Sequence, residues 1–527
     1  MSKILNINVG VLGHVDSGKT TLSKALSQIG STASFDKNPQ SKERGITLDL
    51  GFSSFLMKSS DPEFDQVRFT LVDCPGHGSL IKTVIGGACI IDAMILVIDI
   101  TKGVQAQTKE CLVIGEVINT HLLVVLNKVD QLPEKNRDEK VKKMTKLVKE
   151  KVLSRIQFKT AEIVPCSAFS GKTEQVVEFF ENFKHFPERK SLLEKPFLMS
   201  IDHCFQIKGS GSVFTGTVLA GKVSVGENVE IVGLGEEKRI KSIQIFKEAK
   251  NEALCGDRAA ICVSNFDAKK LERGLLAFPK SIKGISNVIV KLKKVALYQD
   301  AIESGQKFHV TCGHQLANAK ITLMKDRNGE KVDLSKDGFY DGKIFDYVDK
   351  LEEDDESVLS SLQLDRPIFF LPNGLLIGSR LELDANTTDK CRIAFSAFLE
   401  PLSMRDPKEL VVVKEKSKAG VVERLHDDNI EYNTLIVKDL FKKETNLDFF
   451  NRLKVSLSTG ESAIIDGTFG TSGKIKIYSS DGFSDETKER CRKPKKGENL
   501  GKRELIEVKL VFFKNINSDN KHSILQL

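Results

Sequence analysis

Leu5-Asn-Ile-Asn-Val-Gly-Val-Leu12, running directly into Gly13-His14-Val15-Asp16-Ser17-Gly18-Lys19-Thr20-Thr21, decides the fold. The first part is an apolar run of strand length. The second opens with G-x-x-x-x-G-K-[ST] and leads into a helical pattern, the strand-to-helix context that a phosphate-binding loop requires. Backbone N–H groups of residues 13–18 wrap phosphate oxygens in such a loop, aided by the helix N-terminus. Lys19 then neutralises the β and γ oxygens, and the Thr20 hydroxyl is offered to Mg2+. Thr21, next on the helix, belongs to the same phosphate-contacting run.

Further apolar runs follow at Val67 to Val72, Ala93 to Ile98, Leu122 to Leu126 and Ile163 to Pro165, separated by helix-like stretches. Strands alternating with helical patterns predict an α/β domain with a mostly parallel sheet and helices on both faces, ending near residue 195. Within it, residues 137–156 place Val141, Met144, Leu147, Val148 and Val152 at helical spacing between lysines, a surface helix with a solvated basic face. Three strand ends carry the remaining nucleotide chemistry. Asp73 closes its strand ahead of Cys74-Pro75-Gly76-His77, so its carboxylate is placed to hold Mg2+ while Gly76 lets the backbone approach the γ-phosphate. Asn127-Lys128-Val129-Asp130 follows the Leu122 to Leu126 run. The acceptor-only carboxylate of Asp130 suits the adjacent N1–H and N2–H2 donors of guanine, a pair that adenine lacks. Cys166-Ser167-Ala168 completes the base pocket, where small side chains let N–H groups reach the guanine oxygen. Any one of these tetrapeptides alone reads as a loop; their order and strand contexts predict binding of GTP with Mg2+.

The chain has 527 residues, 40% hydrophobic and 29% charged, enough for several separately cored domains. After a polar linker, Glu188 to Pro196, short alternating runs punctuated by glycine take over. Val213-Phe-Thr-Gly-Thr-Val-Leu-Ala-Gly221 and Val229-Glu-Ile-Val232 are typical, and they predict β-barrels. The expected division is a nucleotide domain, 1–195; two barrels, 196–284 and 285–404; and a fourth β-rich domain, 405–527. Residues 326–365, including Glu352-Glu-Asp-Asp-Glu356, read as an exposed acidic excursion of the third domain. The net charge of +7 conceals 43 basic against 34 acidic residues in 1–300, 12 against 18 in 301–400, and 24 against 20 in 401–527. So weak a bias excludes a purely electrostatic nucleic-acid coat and suits RNA contact through selected faces, with 326–365 turned away. Ten dispersed cysteines, without paired or zinc-type spacing, fit free buried thiols in a reducing compartment. No uncharged apolar run reaches the roughly 18 residues of a spanning helix, and no signal core follows Met1, so a cytoplasmic chain without membrane contact is expected.

With these motifs in place, the chain resembles the translational GTPases. Arg44-Gly45-Ile46-Thr47 is similar to their first switch segment, which implies that Thr47 contacts Mg2+ and the γ-phosphate region. His77 stands where they carry the residue that positions the attacking water, and the resemblance implies slow hydrolysis until the ribosome engages. Lys208-Gly-Ser-Gly-Ser-Val-Phe-Thr-Gly216 resembles the second-domain barrel of elongation factor Tu relatives, which bind aminoacyl-tRNA. Ile201-Asp202-His203-Cys204-Phe205, Leu271-Glu272-Arg273-Gly274, Phe35-Asp-Lys, Gly45-Ile-Thr-Leu-Asp-Leu-Gly-Phe52, Asp73-Cys74 and Phe441-Lys-Lys-Glu-Thr-Asn446 narrow the resemblance to the eukaryotic selenocysteine-specific elongation factors, over essentially the whole chain. It implies a factor that binds GTP and selenocysteinyl-tRNA, delivers it to the ribosome at recoded UGA codons, and hydrolyses GTP on correct delivery. It also places Asp202, His203 and Arg273 at the aminoacyl pocket. A selenol ionises more readily than a hydroxyl, so Arg273 and a His203 kept protonated by Asp202 would supply the charge that selects it. Read without the resemblance, Asp202 and His203 fit a mutually satisfied pair at the start of a strand, with Arg273 in a surface ion pair.

Lys488 to Arg503 hold eight basic residues against two acidic ones and read as a solvated loop suited to RNA contact or to nuclear import. For the fourth domain as a whole, the resemblance implies coupling to the selenocysteine insertion RNA element through its binding protein. A monomer is expected. Two alternatives share the nucleotide motifs. An initiation-factor-like GTPase delivering initiator tRNA is disfavoured by Asp202-His203-Cys204 and the fourth domain. A regulatory GTPase without tRNA cargo would need neither the Gly-rich barrel nor a third domain.

Overall fold

Strands that alternate with helices must run parallel, because each crossover returns the chain to the same edge of the sheet. The computed structural model describes residues 3–27, 29–30, 49–77, 80–118, 120–151, 153, 158, 160–207, 209, 211–336, 338–369, 374–383, 391–400, 409–426, 433–470, 472–492, 505–517 and 524–526. Its first sheet contains β1 (Ile4–Gly13), β2 (Ile29–Gly30), β3 (Gly51–Lys58), β4 (Gln66–Asp73), β5 (Ala93–Asp99), β6 (His121–Asn127) and β7 (Glu162–Pro165). The spatial order is β2-β3-β4-β1-β5-β6-β7. From β4 to β7 all neighbours are parallel, whereas β3 lies antiparallel on β4 with Gly51 opposite Asp73. The five apolar runs of the sequence are all strands of this sheet. The β3 strand is an addition, since the motifs there read only as a switch segment.

Helices α1 (Lys19–Leu26), α2 (Ile81–Gly87), α3 (Ala106–Val117), α4 (Arg137–Lys151) and α5 (Glu174–Glu181) complete the domain. Alternate residues of a strand face opposite sides of a sheet. Ile7, Val9 and Val11 of β1 and Ile95 and Val97 of β5 share one core with Leu22 of α1 and with Val176 and Phe180 of α5. Met94, next to Ile95, turns the other way, against Gly115 of α3. On α4, Val148 is buried and the lysines at 140, 142, 143, 146 and 149 are exposed, as the amphipathic pattern predicts.

A second sheet forms the barrel: β8 (Leu198–Ile207), β9 (Gly211–Ala220), β11 (Asn228–Ile231), β12 (Glu236–Ile245), β15 (Arg258–Val263) and β16 (Gly274–Ala277), with the short β10 (Lys222–Ser224), β13 (Glu248–Lys250) and β14 (Glu252–Leu254) beside them. The pairings run β11-β16-β8-β9-β15-β12 and close through β11 with β12, so those six strands leave no free edge. Gly216 on β9 permits the close approach of β8, because a Cβ there would lie 1.9 Å from the Ser200 carbonyl oxygen. Asn6 and Asn8 on β1 donate to the Gly256 carbonyl at 2.5 and 3.1 Å, and Arg189 joins Asp92 to the Cys255 carbonyl, fixing the barrel against the first sheet.

The remaining residues are strand-rich. Lys307–Cys312 pairs with Gln315–Asp326 and with Leu375–Ser379, which in turn pairs with Ile393–Phe398. The chain divides into two compact units, one holding 1–321, 350–356 and 360–404, the other 322–349, 357–359 and 405–527. In the second unit, Val411–Leu425, Thr434–Lys438, Lys474–Tyr478, Ser462–Phe469, Lys454–Leu457 and Glu507–Asn515 pair in a closed cycle. Leu435, Val437, Ile475, Ile477, Val508 and Leu510 fill its core.

Two expectations are refined. Residues 326–365 are exposed only in part: Glu352, Glu353, Asp354 and Glu356 face solvent as expected, but Phe345 in the strand Ile344–Val348 and Leu359 and Leu362 in the strand Val358–Phe369 are buried. Acidic composition reports the solvent-facing positions of a strand and is blind to the apolar residues alternating with them. Several carboxylates are also neutralised locally, as in Lys343–Asp326 at 2.8 Å and Arg327–Asp346 at 3.0 Å. The basic segment 488–503 does not begin as a loop. Asp485–Cys491 is a helix, capped by the Ser484 hydroxyl accepting the Thr487 N–H at 3.2 Å, with Thr487 and Cys491 buried. Residues 493–503 lie outside the described residues.

Candidate nucleotide and aminoacyl sites

The phosphate-binding loop, Asp73, Asn127-Lys128-Val129-Asp130 and Cys166-Ser167-Ala168 sit at the carboxyl ends of parallel strands, where open α/β sheets bind ligands. Gly18, in the left-handed region at φ 93°, starts α1. Lys19 is buried and donates to the His14 carbonyl at 2.8 Å. Burial lowers its pKa, and Asp73 counteracts. Burial and Lys19 also lower the pKa of His14, favouring its neutral form. Gly76 packs directly on this loop, since a Cβ there would fall 2.3 Å from Lys19 Nζ and 2.9 Å from the Gly13 carbonyl oxygen. Val15 is half-buried, whereas the side chains of Asp16 and Thr21 are exposed. His77 follows Gly76 and is half-buried.

The Thr20 hydroxyl donates to Asp73 Oδ2 at 2.6 Å. A hydroxyl and a buried carboxylate at a strand end form the oxygen donor set that Mg2+ takes, so the residues present fit that ion. Thr47, with the rest of the Arg44-Gly45-Ile46-Thr47 segment, lies outside the described residues.

The base-side motifs are tied to the loop through Asn127. Its Nδ2 donates to the Ser17 carbonyl at 2.9 Å, and its Oδ1 accepts the Ala168 N–H at 3.0 Å. Lys128, at φ 66°, pairs with Asp99 at 2.8 Å. Asp130 Oδ1 accepts from the Ser167 hydroxyl at 2.5 Å. Asp99 and the cross-linking role of Asn127 were not legible in the motifs, which specify residue types and not their mutual bonds.

The second site lies on the barrel. Between β8 and β9 the register slips, with Ile201 opposite Gly216 but His203 opposite Thr215. The extra residue in this bulge is Asp202. In a regular strand Asp202 and His203 would face opposite sides; the bulge brings His203 Nδ1 to 2.9 Å from Asp202 Oδ1. Arg258 of β15 forms a two-pronged pair with Asp202, one bond at 2.9 Å, and the Thr215 hydroxyl adds a third at 3.0 Å. The Arg258 guanidinium also covers the Phe52 ring of β3, 3.3 Å from its centroid. Arg273 immediately precedes β16, whose Gly274 lies opposite Ile201, and it reaches Asp49 Oδ1 at 2.5 Å. The other Asp49 oxygen lies 3.2 Å from His203 Nε2.

The electrostatics follow from this geometry. Burial would raise the Asp202 pKa, but Arg258 and His203 hold it well below the usual carboxylate range. Burial would lower His203, yet its bonds to Asp202 and Asp49 raise it to about 9, so it carries a proton at neutral pH. Burial, with the Arg273 and Arg258 guanidiniums, pushes nearby His314 down to about 4 against the pull of the two carboxylates, and it stays neutral. Three positive groups thus face two negative ones. The structure brings together all three residues singled out by the sequence and adds Arg258, Asp49 and Phe52. Arg258 left one signal: an arginine heading the otherwise apolar strand Arg258-Ala-Ala-Ile-Cys-Val263 demands a buried partner.

A nucleotide-binding α/β domain joined to a closed Gly-rich barrel is the architecture of a translational GTPase, and the chain is similar to the elongation factor Tu GTP binding domain over residues 5–206 and to elongation factor Tu domain 2 over 211–276. Residues 289–397 match the third domain of eukaryotic selenocysteine-specific elongation factors, and 407–520 match the eEFSec C-terminal RIFT domain. The selenocysteine-specific elongation factor of Mus musculus is 41% identical over 92% of this chain and 90% of its own length. That of Methanocaldococcus jannaschii is 33% identical over 89% and 93%. The chain belongs to the selenocysteine-specific elongation factors. Its structure is similar to that of translation elongation factor SelB from Methanococcus maripaludis in complex with the GTP analogue GppNHp, at a TM-score of 0.68 and 25% identity, covering 98% of this chain and all of that one.

Proposed function

We propose that this GTPase binds selenocysteinyl-tRNA, delivers it to the ribosome at recoded UGA codons, and hydrolyses GTP to GDP and phosphate on correct delivery. One observation carries the reading: Asp202, His203, Arg258 and Arg273 form a net-positive cluster on a barrel packed against the nucleotide domain. Such a cluster favours an ionised selenol over the neutral serine hydroxyl that the same tRNA can carry.

Residues 13–21 hold the GTP phosphates, with Lys19 as the fixed charge. Asp130 reads the guanine edge, and Ser167 and Ala168 shape the pocket around it. Asn127 and Lys128 brace that pocket through Ser17, Ala168 and Asp99. Thr20, Asp73 and Thr47 would hold Mg2+, which when bound supplies charge neutralisation at the β and γ oxygens. His77 orients the attacking water; because phosphoryl transfer depends mainly on placement, no proton transfer to the imidazole is needed. Residues 1–195, 196–284, 285–404 and 405–527 act as four domains, the last coupling a monomeric factor to the selenocysteine insertion RNA element through its binding protein. The segment 488–503 serves RNA contact, with nuclear import as its other use.

Filter binding with GTP present tests the reading, using one tRNA charged with selenocysteine or with serine, and initiator Met-tRNA. The selenocysteinyl form is expected to bind at least about tenfold tighter than the seryl form, or about 1.4 kcal/mol. His203→Ala combined with Arg273→Ala should erase the difference. Preference for initiator tRNA, or unchanged discrimination in the double variant, would sink the assignment.

A further inference from the structure

The charges of the aminoacyl cluster divide into an inner and an outer set. Asp202 and Arg258, with side chains 2% and 3% exposed, pair with each other in the interior, away from solvent. His203 and Arg273, at 34% and 25%, are the cations that a ligand entering from solvent can meet. Both are engaged by one carboxylate, that of Asp49, which arrives from the nucleotide domain with one oxygen on each. The Asp49 carboxylate therefore stands where the side-chain anion of the cargo would stand, making the same pair of charge-assisted contacts.

We propose that Asp49 is an internal competitor: a carboxylate that occupies His203 and Arg273 in place of the anionic side chain of the cargo, so that an ionised cargo must displace it and is held less tightly than the two cations alone would hold it. The proposal rests on the aminoacyl-pocket reading above. A neutral hydroxyl displacing Asp49 would break the bonds to Arg273 and His203 Nε2 without supplying an anion in return, whereas a selenolate replaces one anion by another. Asp49 is also well placed to yield. Its neighbour Leu50 is 2% exposed and anchors the backbone just before β3 begins at Gly51, and the Leu50 N–H, which Asp49 Oδ1 accepts at 2.7 Å, is the local bond that yielding would give up. Because Gly51 lies opposite Asp73, the strand that follows Asp49 is bonded to the strand that ends at the nucleotide site.

The full-length Asp49→Asn and Asp49→Ala variants test this. Binding of selenocysteinyl-tRNA and of the same tRNA carrying serine is measured without nucleotide, with GDP and with a GTP analogue. Removing the competing charge is expected to tighten selenocysteinyl-tRNA binding by about tenfold in at least one of these states, equivalent to about 1.4 kcal/mol. Seryl-tRNA binding should change by less than about twofold, on the order of 0.4 kcal/mol. Selenocysteinyl binding that is unchanged or weaker in all three states overturns the competitor, even when His203→Ala and Arg273→Ala abolish discrimination and so uphold the pocket. Discrimination that survives those two substitutions overturns both together. Equal tightening for both cargoes also overturns it, since that is a general charge effect. Retained affinity for a fluorescent GDP analogue establishes that each variant is folded.

Discussion

Arg258→Met removes the buried cation from Asp202 while nearly preserving side-chain length, and its cost can be worked from the structure. Both partners are almost fully buried, so the substitution strands a carboxylate whose remaining bonds are to Thr215 and His203. Breaking a buried pair from one side costs about 3–5 kcal/mol. Loss of the contact with Phe52 adds about 0.5–2 kcal/mol. The carboxylate has an escape, since it can take up a proton. From an ordinary Asp pKa of about 3.9, doing so at pH 7 costs about three pKa units at 1.36 kcal/mol each, or about 4 kcal/mol, which caps the electrostatic part. The expected loss is therefore about 3.5–6 kcal/mol at pH 7. It should shrink as the pH approaches 4, because protonating Asp202 becomes nearly free. Amide hydrogen exchange of peptides from β8 and β15, read by mass spectrometry, reports the local opening free energy without requiring the whole chain to unfold as a single unit. Adding Asp202→Asn to Arg258→Met removes both charges and should recover most of the loss. A single-variant cost below about 1 kcal/mol, or a double variant no better than the single, would refute the buried-pair argument.

Two further outcomes follow from the same geometry. His203 has a folded pKa of about 9, raised above an unfolded value of about 6.5, so its contribution to stability is fully present below pH 6.5 and disappears as the pH climbs through 9. Selenocysteinyl discrimination should accordingly hold to about pH 8 and fall above it; an NMR titration of the His203 ring with a midpoint below 7 contradicts this. Asp130→Asn should weaken GTP binding and admit xanthine nucleotides, because the amide presents a donor where the guanine edge also donates. Competition binding with GTP and XTP measures the exchange, and an unaltered GTP affinity refutes the base-reading role.

The nucleotide domain was legible because its signals are local. Leu5 to Thr21 specify strand, turn and helix within a few residues, and the strand-end positions of Asp73, Asn127 and Ser167 follow once the sheet is known to be parallel. The acidic stretch 326–365 was legible only in part, because charge reports only the faces that meet water, while Phe345 and Leu362 report the core. In the barrel, Asp202, His203 and Arg273 stood out through family resemblance, but their geometry did not. Asp202 and His203 share a site because β8 bulges against β9, and Arg258 reaches them because β15 pairs with β9 on its other side. Asp49 and Arg273 are separated by 224 positions in the chain. The sequence by itself thus determined the class of nucleotide chemistry and the order of domains, since backbone conformation and motif spacing are short-range properties. Only the tertiary structure decided which charges meet, because ion pairs depend on distance in space, and long-range strand pairing sets that distance.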